Sequence, residues 1–137
     1  MTFNLKSTLQ QLHPYDAEAQ RRHLRRLAQL QSVYAEKFGE VAHHYFSTPG
    51  RTEIGGNHTD HNHGRVLAAS INLDSIAVAE RSEENQIELV SEGYEASFVV
   101  RMSELSPLPE EQGTTNALIR GIAARFAQLG HKVGGFK

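Results

Sequence analysis

The densest group of residues able to do chemistry in this 137-residue sequence lies at residues 49–64. These sixteen residues contain one Arg, one Glu, one Asp, two Asn and three His, interleaved with four glycines. Because glycine tolerates positive φ angles and lets the backbone approach a ligand closely, this composition is typical of a tight loop that directs several polar groups at one place. We therefore interpret the segment as the candidate functional site and the rest of the chain as its scaffold.

A sugar is one partner that such a loop could recognise, because each sugar hydroxyl both donates and accepts hydrogen bonds. Asp60 can accept from two hydroxyls, while Asn57 and His58 each offer a donor and an acceptor. A sugar of the wrong stereochemistry would leave a buried polar group unpaired. The alternative is a structural turn in which Asp60 and Asn62 bind nearby backbone N–H groups. The residue types alone favour neither interpretation.

A metal centre is a third hypothesis for the same segment. Four of its side chains are imidazoles or a carboxylate, which zinc and iron prefer as ligands: His58, Asp60, His61 and His63. On a strand, however, His61 and His63 would face one way and the other two side chains the opposite way. We therefore expect the loop to hold no metal ion.

The composition argues against several classes of protein. The net charge of −2 and the hydrophobic fraction of 39% are ordinary for a soluble globular domain. There is no cysteine, and hence neither a disulfide framework nor a thiol nucleophile. No apolar run is long enough for a membrane span or a signal peptide. These features predict a cytoplasmic protein without a membrane partner.

A basic cluster at residues 21–26 could suggest a nucleic-acid partner. The apolar positions Leu24 and Leu27 pass through this cluster, so a helix would leave its arginines on the outer face. No aromatic residue interleaves with the arginines to stack on bases. We interpret the cluster as a solvated helix face and predict no nucleic-acid partner.

Periodicity predicts a helix, several strands and a second helix, which is an α+β arrangement of a mixed or antiparallel sheet covered by helices. The first helix spans residues 16–38 and stops at Gly39, and the second begins at Thr114 or Thr115 and ends at Gly130. The apolar stripe of the second helix, expected to face the core, comprises Leu118, Ile119, Ile122, Phe126 and Leu129.

The predicted strands surround the candidate loop. They cover residues 43–48, 66–80, 86–91 and 96–102, with a turn at residues 92–94 between the last two. In the second strand the apolar phase shifts from Ile71 and Leu73 to Ile76 and Val78, which predicts a bulge or break near Asp74.

The loop resembles the first motif of the galactokinases, a branch of the GHMP kinases. The matching residues are Pro49-Gly50-Arg51, Ile54, Gly56, His58-Thr59-Asp60, Asn62 and Gly64. The resemblance begins at Phe38-Gly39 and continues to Glu80, and residues 130–136 resemble the strand that precedes the phosphate loop of these kinases. It implies the amino-terminal, sugar-recognition domain of a sugar 1-kinase, which converts ATP and galactose or a related aldose to ADP and a sugar 1-phosphate.

The resemblance also assigns roles to individual residues. Arg51 falls at the catalytic-site arginine, which stabilises charge on the transferred phosphoryl group. Sugar binding falls to Asn57, His58, Thr59 and Asp60. Asn57 departs from the family, because galactokinases carry a Glu there, and this change from a carboxylate to an amide leaves the identity of the sugar open.

The nucleotide side of the reaction is not represented in this sequence. The glycine- and serine-rich phosphate loop of the family is absent, and the catalytic aspartate would lie beyond Lys137. The resemblance thus implies that residues 1–137 are incomplete at their carboxyl end, depend on a missing carboxyl-terminal portion for ATP and Mg²⁺, and are inactive alone. We also expect residues 132–136 to form a strand with unpaired hydrogen bonds. The alternative function is that of a non-catalytic relative that binds or senses a sugar.

Overall fold

The structure, a computed structural model, describes residues 4–56 and 59–137, without the side chain of Asp60. Contacts divide the chain into two units, Met1–Val78 and Ala79–Lys137. Helices and antiparallel strand pairing confirm the predicted α+β class. No helix in the described part of the chain combines the length and the apolar character that crossing a membrane would need. The assignment of residues 1–137 to one sugar-binding domain stays a prediction.

The first unit begins with a short helix, α1 (Leu5–Leu12), that the sequence analysis missed. The side chain of Asn4 caps this helix by accepting a hydrogen bond from the backbone N–H of Ser7 at 3.1 Å. Leu9 is buried, and α1 packs against the following helix, α2 (Ala17–Phe38). Because a helix of eight residues is marginal alone, α1 depends on this tertiary contact, which local periodicity does not reveal.

The long helix α2 confirms the prediction for residues 16–38. Asp16 caps its start by accepting from the backbone N–H of Ala19 at 2.8 Å. Gly39 ends the helix in the left-handed conformation, with a φ of 72°. Its apolar stripe buries Leu27 and Tyr34.

Two strands, β1 (His44–Gly55) and β2 (Leu67–Ala79), pair in a sheet that flanks the candidate loop. The first strand is longer than predicted and continues through Pro49 and Gly50. Proline is tolerated because a two-stranded sheet leaves an open edge on each strand. At Gly50, an added Cβ would lie 3.1 Å from the side chain of Ile71, so the glycine allows the strands to approach closely.

The predicted phase shift in β2 is visible in its burial. Ile71 is half-buried, and the half-buried positions then move to Asp74, Ile76 and Val78. Leu73, predicted to share a face with Ile71, is 70% exposed. The shift therefore brings a carboxylate, Asp74, to the inner side of the strand.

The second unit contains the antiparallel pair β3 (Gln86–Leu89) and β4 (Phe98–Arg101), as predicted. Ile87 lies opposite Val100, and both are buried. The predicted turn between the strands contains Gly93 with a φ of 89°.

The expectation of an unpaired strand at residues 132–136 is wrong for the end of this segment. Residues 135–137 insert between residues 80–82 and β3 and bond to both neighbours. The bonds, each written from N–H to C=O, are Ser82 to Gly135 at 3.1 Å, Lys137 to Glu80 at 2.9 Å, Phe136 to Gln86 at 3.2 Å and Glu88 to Phe136 at 3.0 Å. The pairing is with residues distant in sequence, so the tail alone does not predict it.

The third helix, α3 (Thr115–Gln128), starts and ends as predicted, with Thr114 as its cap. Its predicted inward stripe is wrong. Ala123 and Arg120 are the buried residues of the helix, and α3 packs on β4. The small Ala123 allows close packing there. Arg120 is buried because it donates hydrogen bonds to carboxylate and carbonyl oxygens of the preceding segment. Four members of the predicted stripe are exposed: Leu118, Ile122, Phe126 and Leu129.

Candidate functional site

Arg51, the predicted catalytic residue, lies on β1 just before the candidate loop. Its side chain is 75% exposed, and its Nη2 atom lies 3.5 Å from Oε1 of Glu53. Residues two apart on a strand share a face, which explains this pairing. Exposed ion pairs contribute little stability, so the guanidinium group is held only loosely.

The predicted sugar ligands are only partly within the described structure. Asn57 and His58 lie outside the described residues, as does the side chain of Asp60. Thr59 is half-buried, and its Oγ1 donates a hydrogen bond to the carbonyl oxygen of Gly56 at 2.6 Å. The hydroxyl proton of Thr59 therefore serves the loop itself, while its oxygen can still accept. The four sugar-binding assignments stay predictions.

Thr59 organises the turn that follows it. A single 3₁₀ turn, Asp60–Asn62, comes next. The carbonyl oxygen of Thr59 accepts hydrogen bonds from the N–H groups of Asn62 at 3.1 Å and Gly64 at 2.7 Å. His63 adopts the left-handed conformation, with a φ of 60°. A Cβ added at Gly64 would overlap the side chain of Thr59. These contacts hold the backbone of residues 59–64 in a tight turn around Thr59.

Backbone contact closes the loop where it leaves the sheet. Gly56 has a φ of 80°, and a Cβ added there would overlap the carbonyl oxygen of Arg65 and lie 3.0 Å from its carbonyl carbon. Glycine is required at this position for both reasons. Gly56 and Arg65 thus form a neck, and every predicted sugar ligand lies between them in the sequence.

The metal hypothesis gains no support from the side chains that the structure describes. No group of three or more His, Cys, Asp or Glu side chains comes together among them. His61 Nε2 instead lies 3.3 Å from Nδ2 of Asn62. The side chains of His58 and Asp60 lie outside this comparison, and the absence of a metal site stays a prediction.

Comparison with known proteins identifies this segment. Residues 32–81 match the family model described as the galactokinase galactose-binding signature. The galactokinase of Lactococcus lactis subsp. cremoris (strain MG1363) is 29% identical over 109 residues, which are 78% of this chain and 27% of that protein. The galactokinase of Lacticaseibacillus casei is 37% identical over 90 residues, 66% of this chain and 23% of that protein. This chain is similar to galactokinases.

A solved structure supports the same relationship. The crystal structure of Lactococcus lactis galactokinase complexed with galactose matches with a TM-score of 0.70 at 28% identity, over 80% of this chain and 29% of that chain. This chain therefore spans less than a third of the length of these galactokinases. The family model and the similar proteins cover an amino-terminal portion of this chain, and the predicted resemblance to galactokinases is confirmed.

A polar cluster that the sequence analysis missed joins the galactose-binding signature to the part of α2 that precedes it. Its centre is Asp74, whose side chain is 11% exposed. Ser47 Oγ donates to Asp74 Oδ2 at 2.7 Å, and Arg26 Nη1 donates to Asp74 Oδ1 at 2.5 Å. Arg26 Nη2 also donates to the carbonyl oxygen of Asp74 at 3.1 Å, and Nδ1 of His23 lies 4.0 Å from Oδ2. The prediction of a wholly solvated basic face is wrong for Arg26, which joins α2 to β2.

The environment of Asp74 makes its charge important for stability. Partial burial alone would raise the pKa of Asp74, but the hydrogen bonds from Ser47 and Arg26 and the charge of Arg26 lower it below its ordinary value. A carboxyl group with a lowered folded-state pKa stabilises the fold above its unfolded-state pKa. This contribution is lost as the pH falls through the folded-state value.

We therefore expect Asp74→Asn to lower the free energy of unfolding at pH 7 by roughly 1.5–3 kcal/mol, the range for hydrogen bonds to charged groups. Below about pH 4, where the unfolded chain takes up the proton, the difference from the wild type should shrink. Urea unfolding between pH 3 and pH 7 measures both effects. Glu36→Gln, an exposed position on α2, is the control and should leave stability unchanged. A difference that is independent of pH would contradict the role of the charge.

Proposed function

We propose that this chain is the sugar-recognition part of a galactokinase-like sugar 1-kinase, with galactose or a related aldose as its ligand. The observation that carries the proposal is the match of residues 32–81 to the galactose-binding signature, which encloses the whole loop closed by Gly56 and Arg65. The galactose complex of the matching Lactococcus lactis structure supports the same class of ligand.

The proposal assigns sugar binding and stabilisation of the phosphoryl charge to different residues along the chain. Asn57, His58, Thr59 and Asp60 lie in the closed loop and would bind the sugar hydroxyls. A closed neck between Gly56 and Arg65 fixes the two ends of the segment that carries these residues, which would lower the entropy lost on binding. Arg51 lies on β1 outside the neck, with most of its guanidinium group in solvent. It would stabilise the negative charge of the transferred phosphoryl group rather than bind the sugar.

The whole enzyme would use ATP and Mg²⁺ to transfer a phosphoryl group to the bound sugar. Residues 1–137 contain no glycine- and serine-rich phosphate loop, and their described side chains form no metal-ligating cluster. In the proposed function this chain binds and orients the sugar and places Arg51 beside it, while another portion of the enzyme holds the nucleotide and the metal ion. A cytoplasmic location is part of the same proposal.

The test is calorimetric titration of the 137-residue chain with galactose and a panel of aldoses. We expect saturable binding of at least one aldose, and Asp60→Ala should weaken it at least about tenfold, because a hydrogen bond to a charged group contributes about 1.5–3 kcal/mol. Because Arg51 is assigned to the phosphoryl group and not to the sugar, Arg51→Ala should change the affinity for the aldose less than about twofold. Glu83→Ala, an exposed acidic position, is the control for loss of charge.

A second measurement separates binding from catalysis. The chain alone should form no ADP from ATP and the bound aldose above the level of Arg51→Ala. Failure to bind any aldose, or equal binding by the wild type and Asp60→Ala, would overturn the proposal. Sugar phosphorylation by the chain alone would refute the assignment of the nucleotide site to another portion.

A further inference from the structure

The strand that leads into the neck carries an ion pair between Arg51 and Glu53. Nη2 of Arg51 lies 3.5 Å from Oε1 of Glu53. The two side chains differ in their freedom to move, because that of Arg51 is 75% exposed and that of Glu53 is 26% exposed. The carboxylate is therefore the better-fixed member of the pair, and the guanidinium group can leave it for another anion.

The carboxylate of Glu53 and a phosphoryl group make the same demand on Arg51. A guanidinium group binds carboxylate and phosphate oxygens through the same N–H donors. The two anions therefore compete for Arg51. The pair also has no net charge, so a phosphate that approaches it is attracted by the guanidinium group and repelled by the carboxylate. Glu53 thus lowers the affinity of this part of β1 for a phosphate.

This competition separates the two sugars of the proposed reaction. The aldose is uncharged, whereas the sugar 1-phosphate is an anion. A carboxylate beside Arg51 has little effect on a neutral ligand but opposes the binding of a negatively charged one. Discrimination between two ligands often depends on such an unfavourable charge placed against one of them. An ion pair at this position therefore favours the substrate over the product.

We propose that Glu53 is a positioning residue that holds Arg51 in the free protein and weakens the retention of a phosphorylated sugar. Arg51 exchanges the Glu53 carboxylate for the phosphate when a sugar 1-phosphate binds, and it returns to Glu53 when this ligand leaves. The proposal rests on the proposed function, because it requires the sugar in the loop and its phosphate beside Arg51.

The test is calorimetric titration of the 137-residue chain with the aldose of the panel that binds most tightly and with the 1-phosphate of the same aldose. Glu53→Gln should raise the affinity for the 1-phosphate at least about threefold and leave the affinity for the aldose unchanged. Glu53→Asp keeps the charge and should retain the wild-type ratio of the two affinities. Glu83→Gln removes the same charge at an exposed position and is the matched control.

Two further measurements test whether Glu53 acts through Arg51. In an Arg51→Ala background, Glu53→Gln should give no such gain for the 1-phosphate, because no guanidinium group is left to release. Raising NaCl from about 50 mM to about 500 mM should reduce the gain seen with Arg51 present, since the pair is exposed to salt.

The possible outcomes separate this proposal from the proposed function. An equal ratio of affinities in the wild type and Glu53→Gln, or the same gain with and without Arg51, overturns the role of Glu53 and leaves the sugar-binding proposal standing. Loss of aldose binding in Glu53→Gln would indicate a structural role for Glu53 and would likewise overturn it. Failure of every aldose to bind the wild type overturns the proposed function and this proposal together.

Discussion

Gly56→Ala is expected to weaken sugar binding strongly, whereas Gly55→Ala should preserve it. The added methyl group at position 56 would overlap the carbonyl oxygen of Arg65, and the backbone there has a φ of 80°. The backbone of Arg65 cannot move aside without opening the neck of the loop. We expect at least a tenfold loss of affinity for the bound aldose, which is about 1.4 kcal/mol, together with a lower Tm. Calorimetric titration and thermal unfolding measure these two effects.

The neighbouring glycine provides a matched control. A Cβ at Gly55 would meet no atom within 4 Å, and no positive φ is required there. Gly56→Asn separates the two reasons for glycine, because asparagine tolerates positive φ but still carries a Cβ. If the close backbone contact with Arg65 is the reason that glycine is required, Gly56→Asn should lower the affinity as much as Gly56→Ala. Unchanged affinity in Gly56→Ala would show that the neck does not hold the sugar ligands in place.

The sequence indicated a tight loop but not how it is closed. Glycines among polar side chains predict positive φ angles and close approaches, and both occur at Gly56. The partner of that close approach, Arg65, lies nine positions away. Its side chain does not predict this role, because the contact is with its backbone carbonyl group. The hydrogen bond from the Thr59 hydroxyl to the backbone could not be predicted either, because a hydroxyl can bind a ligand or a backbone group.

Local sequence signals predicted where the helices begin and end. Contacts between residues further apart in the sequence determine which face of a helix is buried. The caps at Asp16 and Thr114 are short-range hydrogen bonds, so they can be read from the sequence. The orientation of α3 cannot, because it depends on Arg120 contacting oxygen atoms in the segment that precedes the helix, nine and sixteen positions away. The apolar stripe was predicted correctly as a stripe and wrongly as the inner face. An apolar face needs a cover, but the sequence does not say which segment supplies it.

The same long-range contacts make Arg120 the side chain of α3 whose loss should cost most stability. Its Nε donates to Glu111 Oε2 at 2.8 Å and its Nη2 to Glu111 Oε1 at 2.7 Å, which is a bidentate pair. Its Nη1 donates to the carbonyl oxygen of Glu104. These hydrogen bonds also lower the pKa of the Glu111 carboxyl below its ordinary value. Arg120 thus fastens α3 to the segment that precedes it.

Arg120→Met should lower the Tm by at least about 5 °C, because removing one partner of a buried ion pair leaves the other without compensation. Arg120→Lys should fall between this variant and the wild type, since lysine keeps the charge but cannot form the two parallel hydrogen bonds. Arg125→Met is the control, because Arg125 is exposed on the same helix and its Nη1 donates a long hydrogen bond of 3.4 Å to Oε1 of Gln128. Differential scanning calorimetry at pH 7 measures all three. If Arg120→Met and Arg125→Met melt at the same temperature, the orientation of α3 is set by the packing of Ala123 on β4 and not by the arginine.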